Sequence, residues 1–156
     1  MPIVRILVDG YSLLHAWPEL APGKARFSAA ARDELIHILR QYADAIGTPL
    51  TVVFDGAGAA PEIGHESNST REMEILYSKT GQTADDIIEK VAARLVTYGE
   101  VLVITDDFAE QDTVRSVGGR TSSCGHFIQD IQFTVGEFQK QLDRMNRAET
   151  KRFKDR

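Results

Sequence analysis

A single cysteine, Cys124, occurs in the 156 residues. That excludes an internal disulfide, and no Cys/His spacing of a zinc site accompanies it. No apolar run approaches the roughly 18 residues that a membrane span needs, so no membrane partner is expected. The opening segment MPIVRILVDG carries Arg5 within a short apolar run and no small-residue cleavage pattern. A secretory leader is therefore not expected, and a cytoplasmic location is. Neither G-x-x-x-x-G-K-[ST] nor G-x-G-x-x-G is present, which removes the main support for a nucleotide-cradling fold. The histidines His15, His37, His65 and His126 show no ligand spacing, and surface or satisfied-core roles are expected of them. A phosphatase forming an aspartyl phosphate would want a second aspartate two residues after Asp9, where Tyr11 stands. Cys124 opens the last predicted helix, a place that lowers a thiol pKa, but no partner pattern makes it a nucleophile.

What is there fits one soluble domain with a substantial core. Hydrophobic residues make up 42% and charged residues 26%, ordinary values for a globular chain. The net charge of −5 argues against coating nucleic acid by charge alone. The charge is uneven, however: residues 139–156 hold seven Lys or Arg against three Asp or Glu, a local +4, leaving −9 on the rest. A basic tail on an acidic body is either a polyanion-binding device or a solvated helix end.

Strand signals recur at 3–8, 50–54, 73–78 and 101–105, mostly as continuous apolar runs of the kind buried on both faces of a parallel sheet. Between them lie helical patterns. Ser28 is the expected cap of a helix to Ile46, stopped by Gly47. A second helix is expected over 84–98, with short helices after Tyr11 and Asp107. A long final helix from about Ser123 carries Phe127, Ile131, Val135, Phe138, Leu142 and Met145 at steps of three and four. The alternation predicts an open α/β sheet with helices on both faces. The Gly/Ala/Ser-rich stretch 56–70 is longer than the usual connection of about four to six residues, and is either a surface insertion or a substrate-contacting loop.

In open α/β sheets ligands collect beyond the carboxyl ends of the strands. Asp9, Asp55 and the pair Asp106–Asp107 follow strand signals, and Asp85 and Asp86 open the helix after the third strand. Four segments thus deliver carboxylates to one edge. Like charges within about 4–6 Å raise one another's pKa, and a divalent cation removes the conflict. All-oxygen ligation favours Mg²⁺ or Mn²⁺. The structural alternatives stand beside this. Asp86 has capping-box spacing from Thr83, Asp55-Gly56 is a turn signal, and Asp106 or Asp107 suits a helix cap.

The segments ILVDGYSLLHAWPEL, VVFDG, KTGQTADDIIEKVA and VITDDFAEQDTVRSVGG, in that order over about residues 3–135, resemble the YacP-type NYN domain family, a branch of the PIN-like nucleases. The resemblance implies a three-layer α/β/α PIN-like fold with a mostly parallel sheet and a long C-terminal helix. It implies a nuclease domain over 1–145, followed by a basic helical tail over 146–156. It also implies Mg²⁺- or Mn²⁺-dependent cleavage of RNA, messenger RNA at the ribosome being the substrate of some bacterial members. Carried over by position, Asp9, Asp85 and Asp107 become the catalytic, metal-holding acids, with Asp106, Asp55 and Asp86 in support. Ser12 stands where the family usually has asparagine, and Asp106 where it usually has serine. Ser12, Lys24, Arg26, Lys79, Lys151, Arg152 and Lys154 are candidate RNA contacts. The competing readings are a non-catalytic RNA- or ribosome-binding module and a DNA or flap-type nuclease.

Overall fold

A computed structural model describes residues 2–56 and 72–154. Apart from Gly56, the long stretch 56–70 lies outside the described residues. Strand β1 (Ile3–Asp9) leads into helix α1 (Gly10–Ala16), a 3-10 turn (Pro18–Leu20) and helix α2 (Ala29–Ile46). Then follow β2 (Leu50–Phe54), β3 (Met73–Tyr77), α3 (Ala84–Leu95), β4 (Glu100–Ile104), α4 (Phe108–Ser116), β5 (Arg120–Ser122) and α5 (Cys124–Lys154). The sheet order is β3-β2-β1-β4-β5, with every pairing parallel.

Strand period explains the two cores. Successive side chains point to opposite faces, so Ile6 and Val8 enter one layer and Leu7 the other. The first layer packs α1, α2 and the start of α5, through Leu35, Leu39, Phe127 and Ile131, against the sheet. The second packs α3 and α4, through Ile88, Ala92 and Val114, against Leu7, Val53, Val101 and Val103. Each fully buried side chain of this size contributes about 1.5–3 kcal/mol, so both faces are held closed. The result is the expected three-layer α/β/α fold, with a long final helix.

Local signals set the helix ends. Ser28 Oγ accepts from the Ala31 N–H, and Gly47 closes α2 at φ 70°, a left-handed conformation that glycine adopts without strain. Two expectations need correction. Helix α3 ends at Leu95 instead of Tyr98, and Tyr98 is solvent-exposed beyond it. Strand β5 was not anticipated: Arg120-Thr121-Ser122 is a short polar edge strand with no apolar run to betray it. No described helix is long and apolar enough to cross a membrane.

Gly10 is where β1 turns into α1, and a Cβ there would fall inside the van der Waals envelope of the buried Phe54 ring. Gly10→Ala is expected to cost about 1–3 kcal/mol through overpacking, measured as a lowered urea midpoint with unchanged slope.

Candidate metal centre

β1 pairs with β2 on one side and β4 on the other. The chain therefore changes direction across the sheet between β1 and β4, and their carboxyl ends flank the crevice where such folds bind ligands. Asp9 is the last residue of β1 and the N-cap of α1; its Oδ1 accepts from the Ser12 N–H at 3.3 Å. Asp85 enters from the first turn of α3 and Glu110 from the first turn of α4. Helical side chains lean toward the N-terminus, so both carboxylates reach back over the strand ends. One oxygen from each of Asp9, Asp85 and Glu110 lies within 4.8 Å of the others.

This is an expensive arrangement without a cation. Glu110 is 2% exposed, and neither carboxylate oxygen has a hydrogen bond of good geometry among the described residues. Thr105 and Asp85 are the polar neighbours that bear on it. Burial first, then the approach and charge of Asp85 and the charge of Asp9, push its acid up to about 9, with the Thr105 hydroxyl opposing. Asp9 is pushed up to about 6, first by burial and then by Asp85 and Asp107, with the Ser12 N–H opposing. A hard divalent cation fits this donor set: three carboxylates from three elements, one of them buried with both oxygens unpartnered. Three helix N-termini also converge here and lend partial positive charge.

The walls are braced. The buried Gln111 Nε2 donates to the Thr105 carbonyl at 2.8 Å, and Thr105 Oγ1 accepts from the Asp107 N–H at 3.1 Å. These bonds pin the start of α4 to the end of β4, and with it Glu110.

The structure sorts the sequence candidates. Asp9 and Asp85 meet. Asp107 stands close enough for its charge to act on Asp9, but its Oδ1 caps α4, accepting from the Ala109 and Glu110 N–H groups. Asp106 caps α5 instead, its Oδ1 accepting from the Cys124 N–H at 2.8 Å. Asp86 forms a capping box with Thr83. Asp55 accepts from the Ser78 hydroxyl at 3.0 Å. Ser12 is a strut: its Oγ accepts from the Asp106 N–H at 3.2 Å and touches Cys124 Sγ at 3.5 Å. Cys124 itself is buried, and burial pushes its thiol up to about 12, the reverse of what a helix start alone would do.

Lys79 is exposed just past β3, and Lys24 and Arg26 are exposed on the segment between the 3-10 turn and α2. Lys151 and Arg152 lie far along α5, away from the strand ends, and the side chain of Lys154 lies outside the described residues. Glu110 is the residue the sequence reading missed. The signal was an acid three positions after a helix cap and four before the apolar Val114, on the face that turns inward.

An open parallel sheet with acids gathered at its central crossover is the frame of a nuclease-like α/β domain, and its match to the NYN family supports a hydrolase acting on RNA. Residues 6–156 match the family model of the YacP-like NYN domain, and the chain belongs to that family. It is 33% identical over 129 residues to the "Uncharacterized protein YacP" of Bacillus subtilis (strain 168), covering 81% of this chain and 74% of that protein. It is also similar to the crystal structure of Rae1 (YacP) from Bacillus subtilis, with a TM-score of 0.80 at 29% identity over 96% of this chain and 84% of that one. A tryptophan-to-leucine variant of that protein gives 0.74 at 28% identity, over 91% and 82%.

Proposed function

We propose that this protein is a divalent-metal-dependent endoribonuclease whose centre is built from Asp9, Asp85 and Glu110. The observation that carries the reading is the buried Glu110 carboxylate, unpartnered and facing two further acids. Helix capping accounts for Asp86, Asp106 and Asp107, as a purely structural or binding role would require. It does not account for Glu110, whose burial costs stability and caps nothing. The membership of the chain in a nuclease-like family supports the same reading.

The reaction is hydrolysis of a phosphodiester: a water oxygen bonds to phosphorus as the bond to the 3′ oxygen breaks. Asp9, Asp85 and Glu110 would hold Mg²⁺ or Mn²⁺, which when bound supplies positive charge at the phosphate oxygens and acidifies a ligand water. Asp9 is oriented by the Ser12 N–H, and Glu110 by the bracing of α4. Asp107 adds negative charge beside Asp9 while holding the α4 terminus in place. Lys79, Lys24 and Arg26 steer the RNA backbone toward an edge that is otherwise acidic. A messenger at the ribosome as the particular RNA rests on the family resemblance.

The test is cleavage of end-labelled RNA and DNA oligonucleotides of one sequence, with Mn²⁺ and with chelator. Wild type is expected to cut RNA only with metal. Asp9→Asn, folded by circular dichroism, is expected to lose at least about 100-fold, since even a residue behind a metal ligand is worth 10–100-fold. Wild-type rates from Asp9→Asn would sink the mechanism, and equal cutting of DNA would move it to another substrate.

A further inference from the structure

Beside α1 lies a cavity of about 330 Å³ that the acidic centre does not use. Leu14, Trp17, Leu20 and Ala31 form its apolar wall, and Lys24 and Arg26 stand at its rim. Its volume is at the small end of the roughly 300–1,000 Å³ found for ligand pockets. Trp17 lines the cavity and is 5% exposed, held fixed by the core packed around it.

The rim is shaped as well as charged. Arg26 is held by His15 at the end of α1, with Nη1 and Nδ1 3.1 Å apart. Next to Arg26, Phe27 is 48% exposed and meets Tyr11 edge-on, with ring centroids 5.3 Å apart. Tyr11 accepts from Arg32 and lies two residues from Asp9. Trp17 is seven residues beyond the start of α1, about 10 Å of helix rise, so a short run of nucleotides spans from the metal centre to the cavity.

A ligand suited to this place is flat and apolar on one part and anionic on another. The wall offers no phosphate partner, while the rim offers cations and an exposed ring. Stacked aromatics beside cations are how sequence-tolerant sites hold single strands. We propose that the cavity is a nucleobase subsite for single-stranded RNA, the base seated against Trp17 and an adjoining phosphate held by Lys24 and Arg26. This rests on RNA being the substrate, but on no step of the cleavage reaction.

Trp17 is the sole tryptophan, so its fluorescence reports the cavity directly. The full chain, in chelator to prevent cleavage, is titrated with an unstructured RNA oligonucleotide, uridine monophosphate, ribose 5-phosphate and inorganic phosphate. The oligonucleotide is expected to change Trp17 emission strongly and the mononucleotide weakly, while the two base-free probes leave it unchanged. Lys24→Ala/Arg26→Ala is expected to weaken oligonucleotide binding at least tenfold. With Mn²⁺ present it should raise KM by a similar factor and leave kcat within about twofold. Unchanged emission when labelled RNA is fully bound by anisotropy overturns the subsite, as does an equal response to ribose 5-phosphate. RNA that changes Trp17 emission yet is never cut keeps the subsite and defeats the nuclease reading.

Discussion

Glu110→Gln is expected to melt higher than wild type in the absence of metal, and to lose cleavage. At pH 7 the buried Glu110 must take up a proton to fold, because its acid is pushed up to about 9 while the unfolded chain ionises near 4.5. That uptake costs on the order of 3 kcal/mol, which glutamine removes. The amide also donates to a neighbouring carboxylate, as the protonated glutamic acid does, without needing the proton. For a chain of this size the gain corresponds to a rise of about 5–10 °C in Tm. Cleavage should fall at least about 100-fold, being the loss of a direct ligand and not of its support. Stabilisation with loss of activity is the signature of a residue kept for function against the interest of the fold. A variant that melts lower than wild type in chelator would show that Glu110 is structural.

The stability of the metal-free protein is expected to fall as pH rises from about 4 to 9, and saturating divalent metal is expected to cancel that trend. Asp9 and Glu110 both have folded-state acids raised above their unfolded values. Between unfolded and folded pKa the native state binds the extra proton, so the slope of stability with pH is negative. The contribution is complete below the unfolded values. It is lost as pH passes through about 6 for Asp9 and then about 9 for Glu110. Metal requires both carboxylates ionised, so binding releases their protons. Between those two values one proton leaves, and Mn²⁺ affinity should rise about tenfold per pH unit, which is 1.4 kcal/mol of added stabilisation at fixed metal. Melts at pH 5.5, 7 and 8.5, with and without Mn²⁺, measure both slopes. Glu110→Gln should flatten them, and an identical pH profile in that variant would remove the basis for the centre described here.

The same residues show what the sequence disclosed and what it did not. The three inner strands β2, β1 and β4 were legible because burial on both faces writes itself as a near-continuous apolar run, and the edge strand β3 from its shorter apolar stretch. The long helices were legible from their stripes and from Ser28, Gly47 and Thr83 at their ends. Strand β5 is too short and too polar to leave such a trace, since an edge strand joined to the sheet by backbone bonds needs little side-chain burial. At the site, Asp9 and Asp85 followed from position, because strand ends and first helical turns face the crevice. Glu110 did not, because its carboxylate arrives by reaching backward along α4, and only the packing of Gln111 and Val114 shows that this face turns inward. The destinations of Asp106 and Asp107 were interchangeable in sequence. Which acid capped which helix depended on where α5 begins in space, more than a dozen residues later.

The placement of β1 at the middle of the sheet has a consequence for how the protein comes into being. Its neighbour β4 and the helix bearing Glu110 are encoded about a hundred residues downstream. During synthesis the emerging chain therefore carries Asp9 for about half of its elongation before Asp85 is made, and longer before Glu110 is. Only when α4 has left the exit tunnel do three acids become neighbours, so any product truncated before residue 110 lacks the proposed centre whatever partial structure it holds.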